Sequence, residues 1–218
     1  DDRVTGKTSR FAPKATIVHI DIDPAEISKL VKAHVPVVGD LRDVLPRLTQ
    51  ELGNLDIQAW RETLSGWKAT YPERYQVDKP LVSQEILALL REATANDCIV
   101  ATEVGQHQMF AARLLPTIKA RSFITSGGLG TMGYGLPAAL GVQIAHPKKT
   151  VVCVTGEASF MMNIQELSTA VQYHLPVKIM ILNNQYMGMV RQWQEMFYSS
   201  RYSESYMDSL PDFLALAE

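Results

Sequence analysis

Short apolar runs alternate with amphipathic stretches along this chain, and the runs are too brief and too rich in β-branched residues to be helices. Thr16-Ile-Val-His-Ile-Asp21 reads as a buried strand, and Val35-Pro-Val-Val38, closed by Gly39-Asp40, as a second. Pro24 stands where a helix would begin, so Ala25 to Ala33 is expected to continue one. Leu41 to Leu52 predicts a further helix, weakened by Pro46, which lacks an amide donor. Residues 53–80 lose the pattern: Gly53-Asn54, Trp60, Trp67, Tyr71-Pro72 and Lys79-Pro80 mark a domain boundary crossed by one amphipathic helix. From Leu81 the alternation is regular. Helices are expected from Ser83, as the cap, to Thr94, near Met109–Leu115, up to about Ala145, over Phe160–Tyr173 and near Gly188–Phe197. Strands are expected at Asp97–Thr102, Ser122–Thr125, Thr150–Thr155 and Val177–Leu182. Alternation of this kind makes βαβ units and a parallel sheet covered on both faces, an α/β fold. Ligands of such sheets sit beyond the carboxyl ends of the strands, where Gly105-Gln106-His107, Gly127-Gly128, Gly156-Glu157 and Asn183-Asn184 all fall.

Composition narrows the class. With 218 residues, 46% hydrophobic and 20% charged, the chain is an ordinary globular one of one or two domains. A formal net charge of -2 gives no basic surface for nucleic acid or an acidic membrane. The two cysteines, Cys98 and Cys153, each lie among apolar residues, which excludes a disulfide framework and favours a reducing, cytoplasmic compartment. The uncharged run from Ser122 to Pro147 contains six glycines and two prolines, so a Gly-rich loop and a helix are expected there, not a membrane span. The chain begins at Asp1 without a signal peptide and stops inside the apolar helical pattern of Pro211–Glu218; it is read as an interior piece of a longer protein.

Several motifs carry less than they promise. Gly6-Lys7-Thr8 looks like the end of a P-loop, but position 1, where its first glycine would stand, is Asp1 and no strand precedes it. Gly128-Leu-Gly130-Thr-Met-Gly133 matches G-x-G-x-x-G between a strand and a helix, yet the acid expected about 20 residues on is missing. The five histidines have no metal-ligand spacing with the cysteines, and the methionines read as core filler.

The informative pair is Gly156-Glu157-Ala158-Ser159 with Asn183-Asn184. Residues 159 to 182, which separate Ala158 from Asn183, are enough for one helix and one returning parallel strand. A carboxylate and an amide oxygen then stand side by side at one sheet edge, and hard oxygen ligands of this kind suit Mg²⁺, which completes its shell with phosphate oxygens and water. An Asx turn at Asn183-Asn184 and a capping Ser159 account for the same residues equally well.

That element resembles the metal–diphosphate motif of thiamine-diphosphate enzymes, Gly-Asp-Gly followed at a set distance by Asn-Asn. Gly105-Gln-His-Gln-Met109, Ser126 to Ala139, Phe160 to Leu167, Asn183 to Gln194, Asp1 to Lys7 and His19 to Glu26 look like the catalytic subunit of the acetolactate synthase (acetohydroxyacid synthase) family. The resemblance implies the end of a Rossmann-like FAD-binding central domain over 1–53, a linker with a helix over 54–80, and a parallel-sheet thiamine-diphosphate-binding domain over 81–218. It implies FAD contacts at Asp1, Arg3, Val4, Asp21, Ile22, Glu26, Gly39 and Asp40, the flavin being structural. Thiamine-diphosphate contacts would come from Gln106, His107, Gly130, Met132, Ala158, Ser159 and Gly188. Mg²⁺ ligands would be Glu157, Asn184 and the main-chain carbonyl of Tyr186. Arg3, Met189 and Trp193 would meet substrate. Two departures from the pattern are Glu157 in place of the commoner Asp and Ala158 in place of Gly, so φ at Ala158 should be negative.

The activity implied is decarboxylation of pyruvate on thiamine diphosphate and transfer of the hydroxyethyl carbanion to a second 2-ketoacid, pyruvate or 2-ketobutyrate, in branched-chain amino acid biosynthesis. A homodimer or larger assembly with shared active sites is implied, with room for a small regulatory subunit, and with no nucleic acid or membrane partner. The activating glutamate of the family belongs to an N-terminal domain these residues do not include, so the piece alone is expected to be inactive. Glu103 lies nearby in sequence, and nothing beyond that proximity gives it this role. The competing readings are another thiamine-diphosphate decarboxylase or carboligase, a nicotinamide dehydrogenase built on Gly128–Gly133, and a non-catalytic cofactor-binding module.

Overall fold

The computed structural model describes residues 5–71, 82–115 and 119–218, and the chain divides into two compact units, Asp1–Glu73 and Arg74–Glu218. In the first unit strands β1 (Val18–Asp21) and β2 (Val35–Val38) pair in parallel, Asp21 opposite Val38. Their carboxyl ends therefore bring Asp21 and Ile22 beside Gly39 and Asp40. Helix α1 (Leu41–Leu52) starts on Asp40, whose carboxylate accepts from the Arg42 amide, and it tolerates Pro46 in its second turn. Gly53, with φ +56°, ends it. Helix α2 (Gln58–Thr70) carries Trp60 and Trp67 on one face, their rings edge to face at 5.5 Å.

The helix expected over 24–33 is not there; the segment is a succession of turns. Side chains have taken over the backbone donors: Asp21 accepts from the Asp23 amide, Asp23 from Ala25, and the Ser28 hydroxyl from Ala33. Ser28 itself sits at φ +62°, which no right-handed helix can contain.

The second unit is a four-stranded parallel sheet in the order β4-β3-β5-β6, formed by β3 (Ile99–Thr102), β4 (Phe123–Thr125), β5 (Val151–Thr155) and β6 (Lys178–Ile181). From β3 the chain steps to one side to make β4, then crosses to the other side for β5 and β6. The order reverses between β3 and β5, which opens a crevice at their carboxyl ends. All five residues of β5 are buried because both faces are covered. On one face Val100, Val152 and Val154 pack with Leu87, Leu90, Ala111 and Leu115 from helices α3 (Ser83–Ala93) and α4 (Gln106–Leu114) and its end. On the other, Ala101, Val151 and Cys153 meet Leu136, Ala139 and Leu140 of α5 (Gly135–Ala145) and Phe160. Each fully buried aliphatic side chain contributes about 1.5–3 kcal/mol of transfer free energy to this framework.

Four boundaries differ from the sequence pattern. Helix α3 begins after Val82, and Ser83 makes no capping bond. Helix α4 begins at Gln106, ahead of the apolar residues that announced it. The helix expected over 160–173 begins at Glu157 and is broken: α6 (Glu157–Met162) stops at Asn163, a 3₁₀ turn follows at Ile164–Glu166, and α7 spans Leu167–Gln172. Asn163 leaves helical geometry at φ -135°, and its side chain donates to the Gly133 carbonyl at 2.7 Å. Ala158 lies within α6 and is not among the positive-φ residues. Helices α8 (Gly188–Phe197) and α9 (Phe213–Ala217) complete the unit. The uncharged 122–147 stretch is a strand, a glycine loop and the 11-residue α5, and no helix among the described residues is long and apolar enough to cross a membrane.

Candidate functional site

At the β3/β5 crevice the strand-end loops line one cleft, enclosing about 590 Å³ of empty space partly open to solvent. It is bounded by Gly105, Gln106 and His107 after β3, by Gly156, Glu157, Ala158 and Ser159 after β5, and by Asn184, Tyr186, Gly188 and Met189 after β6. Met132, from the loop after β4, reaches it as well.

Glycines make this site by vacating volume. A Cβ on Gly105 or Gly156 would collide with the His107 ring, one on Gly188 with the Gln106 carboxamide, and one on Gly135 with the Glu103 carboxylate. Neither Gly105, in extended geometry, nor Gly156, at φ -93°, needs a left-handed backbone; both are required by what packs on them. Gly133, at φ +76°, faces Met162 and Asn163, so the last glycine of the G-x-G-x-x-G match serves close packing within the protein.

Gln106 is held from three sides. It lies over Gly188, donates to the Gln192 oxygen at 3.1 Å, and faces the Asn184 amide at 3.5 Å. Gly188 and Gln192 are four apart on α8 and so share a face. Asn183 and Asn184 each close an Asx turn, accepting from the amides of Gln185 and Tyr186 at 3.0 and 2.9 Å. The turn reading of this pair is therefore realised, and each amide oxygen retains a second lone pair. From outside, the Met187 amide donates to Ser205 and the Met207 amide to Gln185, pairing Tyr186 with Tyr206 in a short antiparallel bridge. Those two bonds make it the non-hydrogen-bonded type of pair, which turns the amide and carbonyl of Tyr186 away from Tyr206, toward the side where its amide meets Asn184. The Arg191 guanidinium stacks on the Tyr186 ring at 4.0 Å.

Glu157 is the first residue of α6, 1% exposed, and its Oε1 is buried with no hydrogen-bond partner. An uncompensated buried carboxylate oxygen is costly and marks a place where a cation or donor belongs. No group of three His, Cys, Asp or Glu side chains able to hold a metal is found among the described residues, so a cation beside Glu157 would need neutral oxygens in its shell.

The other sequence-singled residues lie as follows. Gly130 has φ +75° in the loop after β4 and does not line the cleft. Trp193, 58% exposed, packs edge to face on Phe197 and is not among the cleft residues either. In the first unit Asp21 and Asp40 are engaged locally; the Asp40 carboxyl is held below the usual carboxylate range by the Arg42 guanidinium and then by the Arg42 amide. Glu26 pairs with Lys29, and Ile22 is exposed. Asp1, Arg3 and Val4 fall outside the described residues.

Sequence reasoning passed over Thr155 and Gln192 and gave Glu103 no role. Glu103 is 1% exposed and stands behind the cleft: its Oε1 lies 3.0 Å from His107 Nε2 and accepts from the Thr155 hydroxyl at 2.5 Å. It is not among the residues that line the cleft.

Comparison with known proteins agrees with this arrangement. Residues 103–218 match the family described as thiamine pyrophosphate enzyme, C-terminal TPP binding domain, and residues 1–48 match thiamine pyrophosphate enzyme, central domain. The chain belongs to the thiamine pyrophosphate enzymes. Among its relatives, the acetolactate synthase isozyme 3 large subunit of Escherichia coli (strain K12) is 52% identical over 226 residues. The isozyme 2 large subunit of the same organism is 50% identical over 220 residues, and the acetolactate synthase large subunit of Haemophilus influenzae 48% over 228. Each alignment covers 100% of this chain and 39% of the relative, so the chain spans about two-fifths of the curated proteins it matches. The resemblance read from the motifs is borne out.

Proposed function

We propose that this chain is the cofactor-binding part of an acetolactate synthase catalytic subunit, which decarboxylates pyruvate and joins its two-carbon remainder to pyruvate or 2-ketobutyrate. The observation that carries this reading is the buried, unpartnered Glu157 oxygen in a cleft that Gln106, His107 and Asn184 also line, at the switch point of a parallel sheet. Together with relatives named as acetolactate synthases, it supports a site for a metal-bound diphosphate.

The residues fit thiamine diphosphate with Mg²⁺. Glu157, the Asn184 amide oxygen and the Tyr186 carbonyl are oxygen donors from adjacent strand ends, the set Mg²⁺ takes when phosphate and water complete its shell. Gln106 and His107 offer donors to the diphosphate, with Ala158, Ser159 and Gly188 beside them. Met132 presents the apolar surface on which a bent cofactor would rest, with Gly130 offering backbone on the same loop. Thiamine diphosphate supplies, when bound, the electron sink that lets carbon dioxide leave a 2-ketoacid. Met189 would border the acceptor 2-ketoacid, with Trp193 farther along the same helix. FAD would lie along the β1/β2 carboxyl edge, where Asp21 and Glu26 can accept ribose hydroxyls and Gly39-Asp40 close the site, with Asp1, Arg3 and Val4 contributing. Domain limits of 1–53 and 81–218, a cytoplasmic location, an assembly with shared sites, and a small regulatory subunit belong to the same reading.

An acetolactate assay on the full-length protein, with thiamine diphosphate, Mg²⁺ and FAD omitted in turn, tests it. Loss of turnover on each omission is expected. No acetolactate under complete conditions would overturn it.

A further inference from the structure

Glu103 is a buried carboxylate that the proposed chemistry does not use. Three elements close on it. From α4, His107 Nε2 lies 3.0 Å from its Oε1; from β5, the Thr155 hydroxyl donates to that oxygen at 2.5 Å, and the Cys153 thiol lies on the same side; from α5, Gly135 leaves by its missing side chain the space that Oε2 fills. His107 is 7% exposed and also wedged between Gly105 and Gly156, so its ring has little freedom. The Nε2–H direction does not run straight to Oε1, and both His107 Nε2 and Glu103 Oε2 are buried without a hydrogen-bond partner. Two buried polar groups left unpaired would be costly, and His107 Nε2 lies 3.0 Å from the other oxygen of the same carboxylate. A purely structural acid would gain more by replacement with an apolar side chain; one kept at 1% exposure against an imidazole lining an anion-binding cleft has a task there.

We propose that Glu103 is a positioning residue for His107: its carboxylate, itself fixed by Thr155 and seated on Gly135, holds the imidazole with Nε2 as donor toward the protein and so presents the ring to the anionic end of the ligand in the cleft. A carboxylate behind a ligand-binding histidine fixes its ring plane; with Nε2–H turned to Glu103, the ring meets an anion through Nδ1–H in its doubly protonated form, the form a neighbouring carboxylate favours. The inference rests on the thiamine-diphosphate reading, because it needs an anion in front of His107. It also explains why Gly135 is glycine at the start of a helix, where alanine would otherwise be the better helix former.

The test is direct binding of thiamine diphosphate, in Mg²⁺, to the full-length protein, followed by quenching of tryptophan fluorescence and by thermal shift. Glu103→Gln keeps the shape and removes the charge; it is expected to weaken binding about tenfold, the scale of exchanging a charge-assisted hydrogen bond for a neutral one. The pyruvate KM is expected to move less than the cofactor half-saturation. Glu103→Asp is expected to restore part of the loss. His107→Ala weakens binding on its own, and adding Glu103→Gln to it is expected to cost nothing further, since a residue that acts through another has no effect once that other is gone. Gly135→Ala, which displaces the carboxylate, is expected to resemble Glu103→Gln. Unchanged thiamine-diphosphate binding in Glu103→Gln with a lowered melting temperature overturns the proposal, as does full additivity in the double variant. A parent protein that binds no thiamine diphosphate overturns the functional reading together with this inference, whereas a binding parent with an indifferent Glu103→Gln overturns this inference alone.

Discussion

The imidazole of His107 occupies the volume a side chain on Gly156 would need: a Cβ built there would lie 2.9 Å from Nδ1 and 3.1 Å from Cε1. The residue after β3 that faces the cleft and the first residue after β5 are thus shape-matched across the switch point. Gly156→Ala should push the ring out of place. In the full-length protein we expect a stability loss of about 1–3 kcal/mol from overpacking in denaturant titration. The half-saturation concentration for thiamine diphosphate should rise with it, and a variant that binds the cofactor like the parent would contradict the packing described.

Glu157 gives a prediction about the cation. Removing its negative charge with Glu157→Gln should raise the Mg²⁺ concentration needed for thiamine-diphosphate binding by at least about 10–100-fold, the loss that removal of even an outer-layer partner brings. Chelation of divalent cations from the parent should release thiamine diphosphate. Equilibrium dialysis at stepped Mg²⁺ concentrations reads both effects, and equal Mg²⁺ requirements for parent and variant would remove Glu157 from the metal.

Burial, and then the nearby Glu103 carboxylate, push the Cys153 thiol well above its ordinary range. The thiolate is the reactive form, so Cys153 should resist iodoacetamide at about pH 8 in the folded protein and become labelled in denaturant. Cys98 is only partly buried and should react first. Peptide mapping by mass spectrometry distinguishes the two, and ready labelling of Cys153 in the native state would refute the buried setting of β5.

Asp97 accepts from Lys119 at 2.8 Å and Lys149 at 3.2 Å, and these ammonium groups hold its carboxyl below the usual carboxylate range. A lowered folded-state pKa stabilises the protein above the unfolded-state value, and that contribution disappears as pH falls through the folded value. The difference in urea midpoint between the parent and Asp97→Asn should therefore be constant from neutrality down to about pH 5 and shrink below about pH 4. Because the cluster is exposed, added salt should shrink it too. A difference that grows on acidification would contradict the pairing.

What was legible in the sequence was whatever depends on neighbours along the chain. The apolar runs at Val151–Thr155 and Lys178–Ile181, the spacing between Glu157 and Asn184, and the order of the glycine clusters follow from local periodicity and the geometry of a βαβ crossover, so the parallel sheet and the edge that carries the site could be read directly. Where side chains compete with the backbone for its own hydrogen bonds, local reading failed: the turns at 24–33 are made by Asp21, Asp23 and Ser28, and the break at Asn163 by a bond to Gly133, thirty residues earlier. Only the tertiary structure decided that Gly105, Gly135, Gly156 and Gly188 are spaces filled by His107, Glu103 and Gln106, and that Glu103 stands behind the cleft and not in it. A missing side chain leaves no trace in the sequence of what will occupy its place; that is settled by strands brought together from 52 residues apart, as Thr155 and Glu103 are.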